Sequence, residues 1–214
     1  YYLGVKDAVF MTDPVKQLNN FAKNYILEKY VTTQTRPRLL DLGCGKMGDL
    51  FKYAKLDVSF LVGMDLNGNN LNNPRDGAAT RILENIDKTP KLSALADRTL
   101  LINGSFTQNL ADGSAGVDML AKYYLDILYG RHKPTGNIKH MRFYNLAVDG
   151  FNIVTSMYVI HYAFGSETNL ETYLENVSAS LKDQGYFIGT CLDGNVILDE
   201  LNSSKTPGMI EGKI

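Results

Sequence analysis

Two rhythms of apolar and polar residues run along the chain, one with helical spacing and one as short unbroken apolar runs. After Asp13-Pro14, which reads as an N-cap followed by proline at the first helical position, Val15, Leu18, Ala22, Tyr25 and Ile26 recur with helical spacing. Asn19, Asn20, Lys23 and Asn24 fall off that stripe, so an amphipathic helix is expected here. Arg38 to Leu42 is a short apolar run of the kind that forms a buried strand. Met47 to Lys55 reads as a helix, Val58 to Leu66 as a strand containing Asp65, and Asn67 to Gly77, rich in Asn and Gly, as a long loop.

The alternation continues downstream. A helix is expected around Ala78 to Ile86, a strand at Thr99 to Ile102, and an amphipathic helix at Val117 to Tyr129 with Leu120, Tyr124, Ile127 and Leu128 on one side. Arg131 to Arg142 reads as a basic loop and Phe151 to Ser156 as a strand. Thr168 and Glu171 have the spacing of a capping box. Leu170, Tyr173, Leu174, Val177 and Leu181 then form an apolar stripe, Gly185 stops the helix, and Tyr186 to Cys191 is a strand. Strands alternating with helices predict an α/β fold, a doubly wound and mostly parallel sheet.

Composition narrows the class. The 214 residues are 44% hydrophobic and 21% charged, which suits one globular domain spanning 1–214. No apolar run approaches the roughly 20 residues that cross a bilayer, so no membrane partner is expected. Tyr1 to Asp7 lacks the layout of a signal peptide, and the missing initiator Met suggests a domain cut from something longer. Cys44 and Cys191 lie in apolar stretches outside any metal-ligand spacing and read as reduced structural thiols of an intracellular protein. Net charge is −1 and the pI is near 6.3. That balance argues against a broad RNA-binding surface and favours a grip on an end or a single base.

The most informative stretch is Leu39-Leu40-Asp41-Leu42-Gly43-Cys44-Gly45-Lys46-Met47-Gly48-Asp49-Leu50. Gly43 and Gly45 permit a tight turn and a close ligand approach. Asp65 follows Gly45 by twenty residues and ends the next strand, where a carboxylate accepts hydrogen bonds from ribose hydroxyls. An acid ahead of the glycines suits the cationic end of S-adenosylmethionine better than a diphosphate. On spacing alone, a plain glycine turn with Asp65 as an incidental acid remains open.

Three stretches together resemble the mRNA cap guanine-N7 methyltransferase family. They are Asn19-Asn20-Phe21-Ala22-Lys23, the run from Leu40 to Leu50, and His161-Tyr162-Ala163-Phe164-Gly165-Ser166-Glu167. Asn176-Val177-Ser178 and Gly185-Tyr186-Phe187-Ile188-Gly189-Thr190 add to the likeness, which runs from about Asp13 to Leu201. Asn70 to Gly77 resembles the version found in large DNA viruses.

The resemblance implies a Rossmann-like class I S-adenosylmethionine-dependent methyltransferase, with the helix of residues 1–30 contributing to the cofactor site. By position, Asn20, Lys23, Asp41, Gly43, Gly45, Asp49, Asp65, Ser105 and Tyr158 would bind the cofactor. Lys23 would meet the methionine carboxylate. Lys46, Tyr158, His161 and Tyr162 would bind the cap, with Lys46, His161 and Tyr162 positioning it rather than acting as acid or base. The implied partners are the GpppN end of mRNA and other capping domains, a triphosphatase and a guanylyltransferase. The implied location is the nucleus for a cellular protein and the cytoplasm or virion for a viral one.

The chain departs from the family at Asn103-Gly104-Ser105, where Asp usually touches adenine, and at Met157, where Gln is usual. Adenine recognition is then expected to use backbone groups, Ser105 or Phe106. The family's domain also supplies a glutamate and an aromatic from beyond the position of Ile214, so the resemblance implies either further chain that completes the cap pocket or a pocket left incomplete. Arg131, His132, Lys133, Lys139, His140 and Arg142 read as a solvated loop, with contact to the cap triphosphate or RNA the other reading. His132 and His140 have no carboxylates at ligand spacing, so no metal is assigned. Two other functions stay open: methylation of another RNA or a small molecule, and a non-catalytic methyltransferase-like partner domain.

Overall fold

The computed structural model describes residues 13–136 and 138–203, so Tyr1 to Asp7 falls outside it. Five strands, β1 (Arg38–Leu42), β2 (Phe60–Asp65), β3 (Thr99–Asn103), β4 (Phe151–Met157) and β5 (Leu181–Thr190), form one sheet in the order β3-β2-β1-β4-β5. Every pairing is parallel. The helices are α1 (Asp13–Val31), α2 (Leu50–Lys55), α3 (Gly68–Asn72), α4 (Ala78–Asn85), α5 (Pro90–Ala96), α6 (Met119–Leu128), α7 (Ile138–Met141), α8 (Glu167–Ser180) and α9 (Gly194–Ser203), and a 3-10 turn spans Ile160–Gly165.

Alternate strand residues feed two cores. Leu40, Leu42, Val62, Met64 and Val154 pack with Leu125, Ile127 and Leu128 of α6 and with Tyr173 and Val177 of α8. Leu39, Leu61 and Ile153 meet Leu27 and Val31 of α1, Tyr53 of α2, and Leu92 and Leu95 of α5 on the other side. Burial on both faces is why β1 and β4 are apolar on both sides, interrupted by the buried polar residues Asp41, Asn152, Thr155 and Ser156. The chain steps outward from β1 to β3 with its helices on one face, then returns to β4 and steps to β5 with helices on the opposite face. Right-handed crossovers produce this change of face when the direction of travel reverses. The reversal falls between β1 and β4, and a ligand crevice opens at the carboxyl ends of strands at such a switch point.

Several expectations are corrected. Val15, Leu18 and Tyr25, three of the five residues of the apolar stripe read along α1, are more than half exposed, whereas Ala22 and Ile26 are half-buried. Asn19, Asn20 and Lys23 are half-buried as well, because the inner side of α1 there meets polar groups of the site. Only from Ile26 to Val31 does an apolar face reach the core. The helix expected from Met47 begins at Leu50, and Met47 has φ +54°, outside helical geometry. The strand expected from Val58 begins at Phe60. The Asn-rich loop contains α3, capped where Asn67 Oδ1 accepts from the Asn69 amide at 3.0 Å. Helix α5 was not foreseen, although Thr89 caps it and Pro90 opens it. Leu120 and Leu174, both read as apolar-stripe residues, are exposed. The basic loop contains α7.

The N-cap of α8 is Ser166, whose Oγ accepts from the Asn169 amide at 3.1 Å, and Thr168 already lies inside the helix. That helix ends at Ser180, and Gly185, expected to stop it, sits within β5. Cys44 is buried as expected, but Cys191 is exposed. Among the described residues no helix is long and apolar enough to cross a membrane.

Candidate functional site

The turn after β1 is stitched to the end of β2. Gly43 and Cys44 both donate their amides to the Met64 carbonyl, at 2.8 and 2.9 Å. Gly43 adopts φ +79°, and a Cβ there would stand 2.7 Å from Val159 Cγ2, just after β4. Gly45 adopts φ +55° with nothing within 4 Å of where its Cβ would be. One glycine thus lets the turn pack, and the other leaves open space above it.

Asp65 closes this turn from the side. Its Oδ2 accepts the Gly45 amide at 2.8 Å, while Oδ1 accepts the Asn67 amide at 2.9 Å and Asn70 Nδ2 at 3.1 Å. A carboxylate oxygen has two lone pairs, so Oδ2 keeps one for a ligand hydroxyl.

Beside the turn, Asp49 joins α1 to α2. Lys23 Nζ donates to Asp49 Oδ2 at 2.8 Å, and Lys52 Nζ lies 2.7 Å from Oδ1. Lys52 also donates to Asn20 Oδ1 at 3.0 Å. Tyr158, at φ +60° after β4, donates its hydroxyl to Asn19 Oδ1 at 2.8 Å. These contacts draw the polar side of α1 over the carboxyl ends of β1 and β4.

Asp41 lies deeper, at 3% exposure. Thr155 Oγ1 donates to its Oδ1 at 2.9 Å and the Tyr53 hydroxyl to its Oδ2 at 3.0 Å. Burial first, and then the Asp49 charge, push its carboxyl up to about 7, against the opposing bonds from Thr155 and Tyr53 and the charge of Lys23. Asp41 therefore supports the turn from below with both oxygens already engaged.

At the end of β3, Asn103 Nδ2 donates to the carbonyls of Asp65 and Leu66, each at 2.9 Å. Ser105 is half-buried and shares a 2.9 Å hydrogen bond with Thr107. Phe106, named with Ser105 as a purine contact, is instead in the core, its ring edge-on to Tyr173 at 5.4 Å. On the outer side Lys46 is ion-paired with Asp76, in the loop after α3. His161 and Tyr162 are both exposed, with ring centroids 4.2 Å apart.

The basic loop points elsewhere. Arg131 pairs with Asp126 at 2.7 Å, and Arg142 pairs with Asp97, just before the amino end of β3. That is the opposite end of the strands from the glycine turn. Among the described residues no group of three His, Cys, Asp or Glu side chains is placed to hold a metal. Asn19, Lys52, Tyr53, Asn70 and Asp76 were missed as parts of the site. Lys52 had a readable signal in its i,i+3 spacing from Asp49 within one helical segment, and Asn19, Asn70 and Asp76 lie in stretches that carried the family resemblance.

Similarity to known proteins falls on this same framework. Residues 11–128 and 134–210 match the mRNA (guanine-N(7))-methyltransferase domain family. The mRNA cap guanine-N(7) methyltransferase of Aspergillus niger is 30% identical over 190 residues, covering 86% of this chain and 30% of the relative. The probable mRNA-capping enzyme of Acanthamoeba polyphaga mimivirus is 30% identical over 191 residues, covering 85% of this chain and 14% of the relative. The chain thus spans less than a third of either relative. A solved O-methyltransferase of Brevibacillus brevis aligns with 91% of this chain and 54% of its own, at 14% identity and a TM-score of 0.45. Because the family match takes in all five strands, the glycine turn and the His161-Tyr162 segment, the chain belongs to the mRNA (guanine-N7)-methyltransferase family.

Proposed function

We propose that the chain binds S-adenosylmethionine at the β1–β2 turn and methylates N7 of the guanine in a GpppN mRNA cap. The observation that carries this reading is the pairing of Asp65 with the open Gly45 turn, in a chain of this family. The residues fit the cofactor: Gly45 leaves room for close approach, Asp65 Oδ2 keeps a lone pair for a ribose hydroxyl, and Lys23 offers a cation to a carboxylate.

When bound, S-adenosylmethionine supplies a sulfonium methyl group, an electrophile toward the free lone pair of guanine N7. N7 carries no proton, so the chain needs no general base, and its part is to orient and desolvate. Asp65 and Lys23 fix the two ends of the cofactor. Tyr158, His161 and Tyr162 offer ring faces to the guanine, and Lys46 lies on the outer side between the two. Positioning of this kind contributes roughly 7–11 kcal/mol in well-oriented intramolecular reactions. The same reading sets the chain beside the triphosphatase and guanylyltransferase steps that create a GpppN end.

Titrating GpppG and ApppA into protein saturated with S-adenosylhomocysteine tests the substrate. Guanine recognition predicts tighter binding of GpppG, weakened about tenfold by Tyr162→Ala with no change in S-adenosylhomocysteine affinity. Equal affinity for the two dinucleotides would contradict it.

A further inference from the structure

Asp49 is held by two lysines where one would neutralise it. Lys23 comes from α1 and meets Oδ2 at 2.8 Å, and Lys52 comes from α2 and lies 2.7 Å from Oδ1. All three side chains are largely shielded, at 17% exposure for Lys23, 14% for Lys52 and 9% for Asp49. Asp49 Oδ1 is buried without an aligned hydrogen-bond donor, so what compensates it is the ammonium of Lys52. With a second cation on Asp49, the Lys23 ammonium can turn to an anionic ligand while Asp49 keeps a partner.

The second lysine also answers a difficulty of exchange. If Lys23 turned from Asp49 to a ligand carboxylate with no other cation present, Asp49 would be left as a buried, uncompensated charge, and breaking such a pair is strongly unfavourable. Lys52 removes that obstacle. It stays on Asp49 and at the same time anchors Asn20 at 3.0 Å, which holds α1 over the site.

We propose that Lys52 is a positioning residue for the amino-acid end of the cofactor: it keeps Asp49 compensated and Asn20 in place, so that the Lys23 ammonium is free to meet the ligand carboxylate. The inference rests on the S-adenosylmethionine reading of the site. Lys52 touches the cofactor only through these partners.

Calorimetry with two ligands tests it. S-adenosylhomocysteine carries the amino-acid end, whereas 5′-methylthioadenosine shares the adenosine and sulfur but lacks that end. Lys52→Met is expected to weaken S-adenosylhomocysteine at least tenfold and 5′-methylthioadenosine less than twofold, with Lys52→Arg restoring most of the loss. Retained 5′-methylthioadenosine binding shows that the variant still folds its nucleoside site. Equal weakening of both ligands, or no weakening of either, would overturn the role of Lys52 alone. Failure of the unmodified protein to bind either ligand would overturn the cofactor reading and this inference together.

Discussion

The Gly45 amide donates to Asp65 Oδ2 at 2.8 Å, joining the turn after β1 to the last residue of β2. Asp65 therefore fixes the shape of the glycine turn and presents a carboxylate beside the space that Gly45 leaves open. Hydrogen bonds to charged groups contribute about 1.5–3 kcal/mol. Asp65→Ala is expected to weaken S-adenosylhomocysteine binding by roughly 10- to 100-fold on that basis, and Asp65→Asn by less. Calorimetric titration reads both values, and unchanged affinity in Asp65→Ala would remove Asp65 from the site.

The two glycines of the turn are expected to respond differently to alanine. At Gly43 the left-handed backbone and a Cβ 2.7 Å from Val159 Cγ2 act together. Backbone strain of about 1–2 kcal/mol and overpacking of about 1–3 kcal/mol should lower stability markedly. At Gly45 only the backbone term applies, because the space around its Cβ position is empty. Gly45→Ala should therefore cost stability by about 1–2 kcal/mol while reducing cofactor affinity, as its methyl group occupies the approach path. Denaturant unfolding and ligand titration of the two variants separate these effects.

Asp41 predicts a pH dependence of stability. Its carboxyl is raised from 3.8 to about 7 in the folded chain, so the folded state holds its proton where the unfolded chain has released it. Stability from this group is complete below pH 4 and falls as pH rises toward 7, after which it is constant. Three pH units at 1.36 kcal/mol each set an upper bound of about 4 kcal/mol. Asp41→Asn should flatten this part of the profile, measured as unfolding free energy from pH 4 to 8. A profile identical to that of the unmodified protein would show that Asp41 ionises normally.

The Lys46–Asp76 pair should contribute little to folding. Both side chains are partly exposed, at 32% and 53%, and such pairs contribute about 0–1 kcal/mol. Lys46→Ala is expected to leave the unfolding midpoint nearly unchanged and to raise KM for capped RNA several-fold. A large stability loss with unchanged KM would make the lysine structural.

What the sequence made legible was decided by burial. β1 and β4 are covered on both faces, so Leu39 to Leu42 and Phe151 to Val154 stand out as largely apolar, broken only by Asp41 and Asn152. Asp65 was legible because its strand ends at a fixed distance from the glycines. The orientation of α1 was not, because Val15, Leu18 and Tyr25 look like a core stripe and yet face outward. A helix that turns Asn20 and Lys23 inward breaks the usual rule at a functional site. Contacts between distant segments, such as Tyr158 with Asn19 across 139 residues, left no local pattern to read.

Methyl transfer from labelled S-adenosylmethionine to GpppA-capped RNA, with m7GpppA-capped RNA as control, tests the central claim most directly. Label recovered as 7-methylguanosine from the unmethylated cap alone, and lost in Asp65→Ala, is the predicted result. Equal labelling of both RNAs, or no transfer by protein that binds S-adenosylhomocysteine and GpppA, would contradict guanine-N7 methylation by this site.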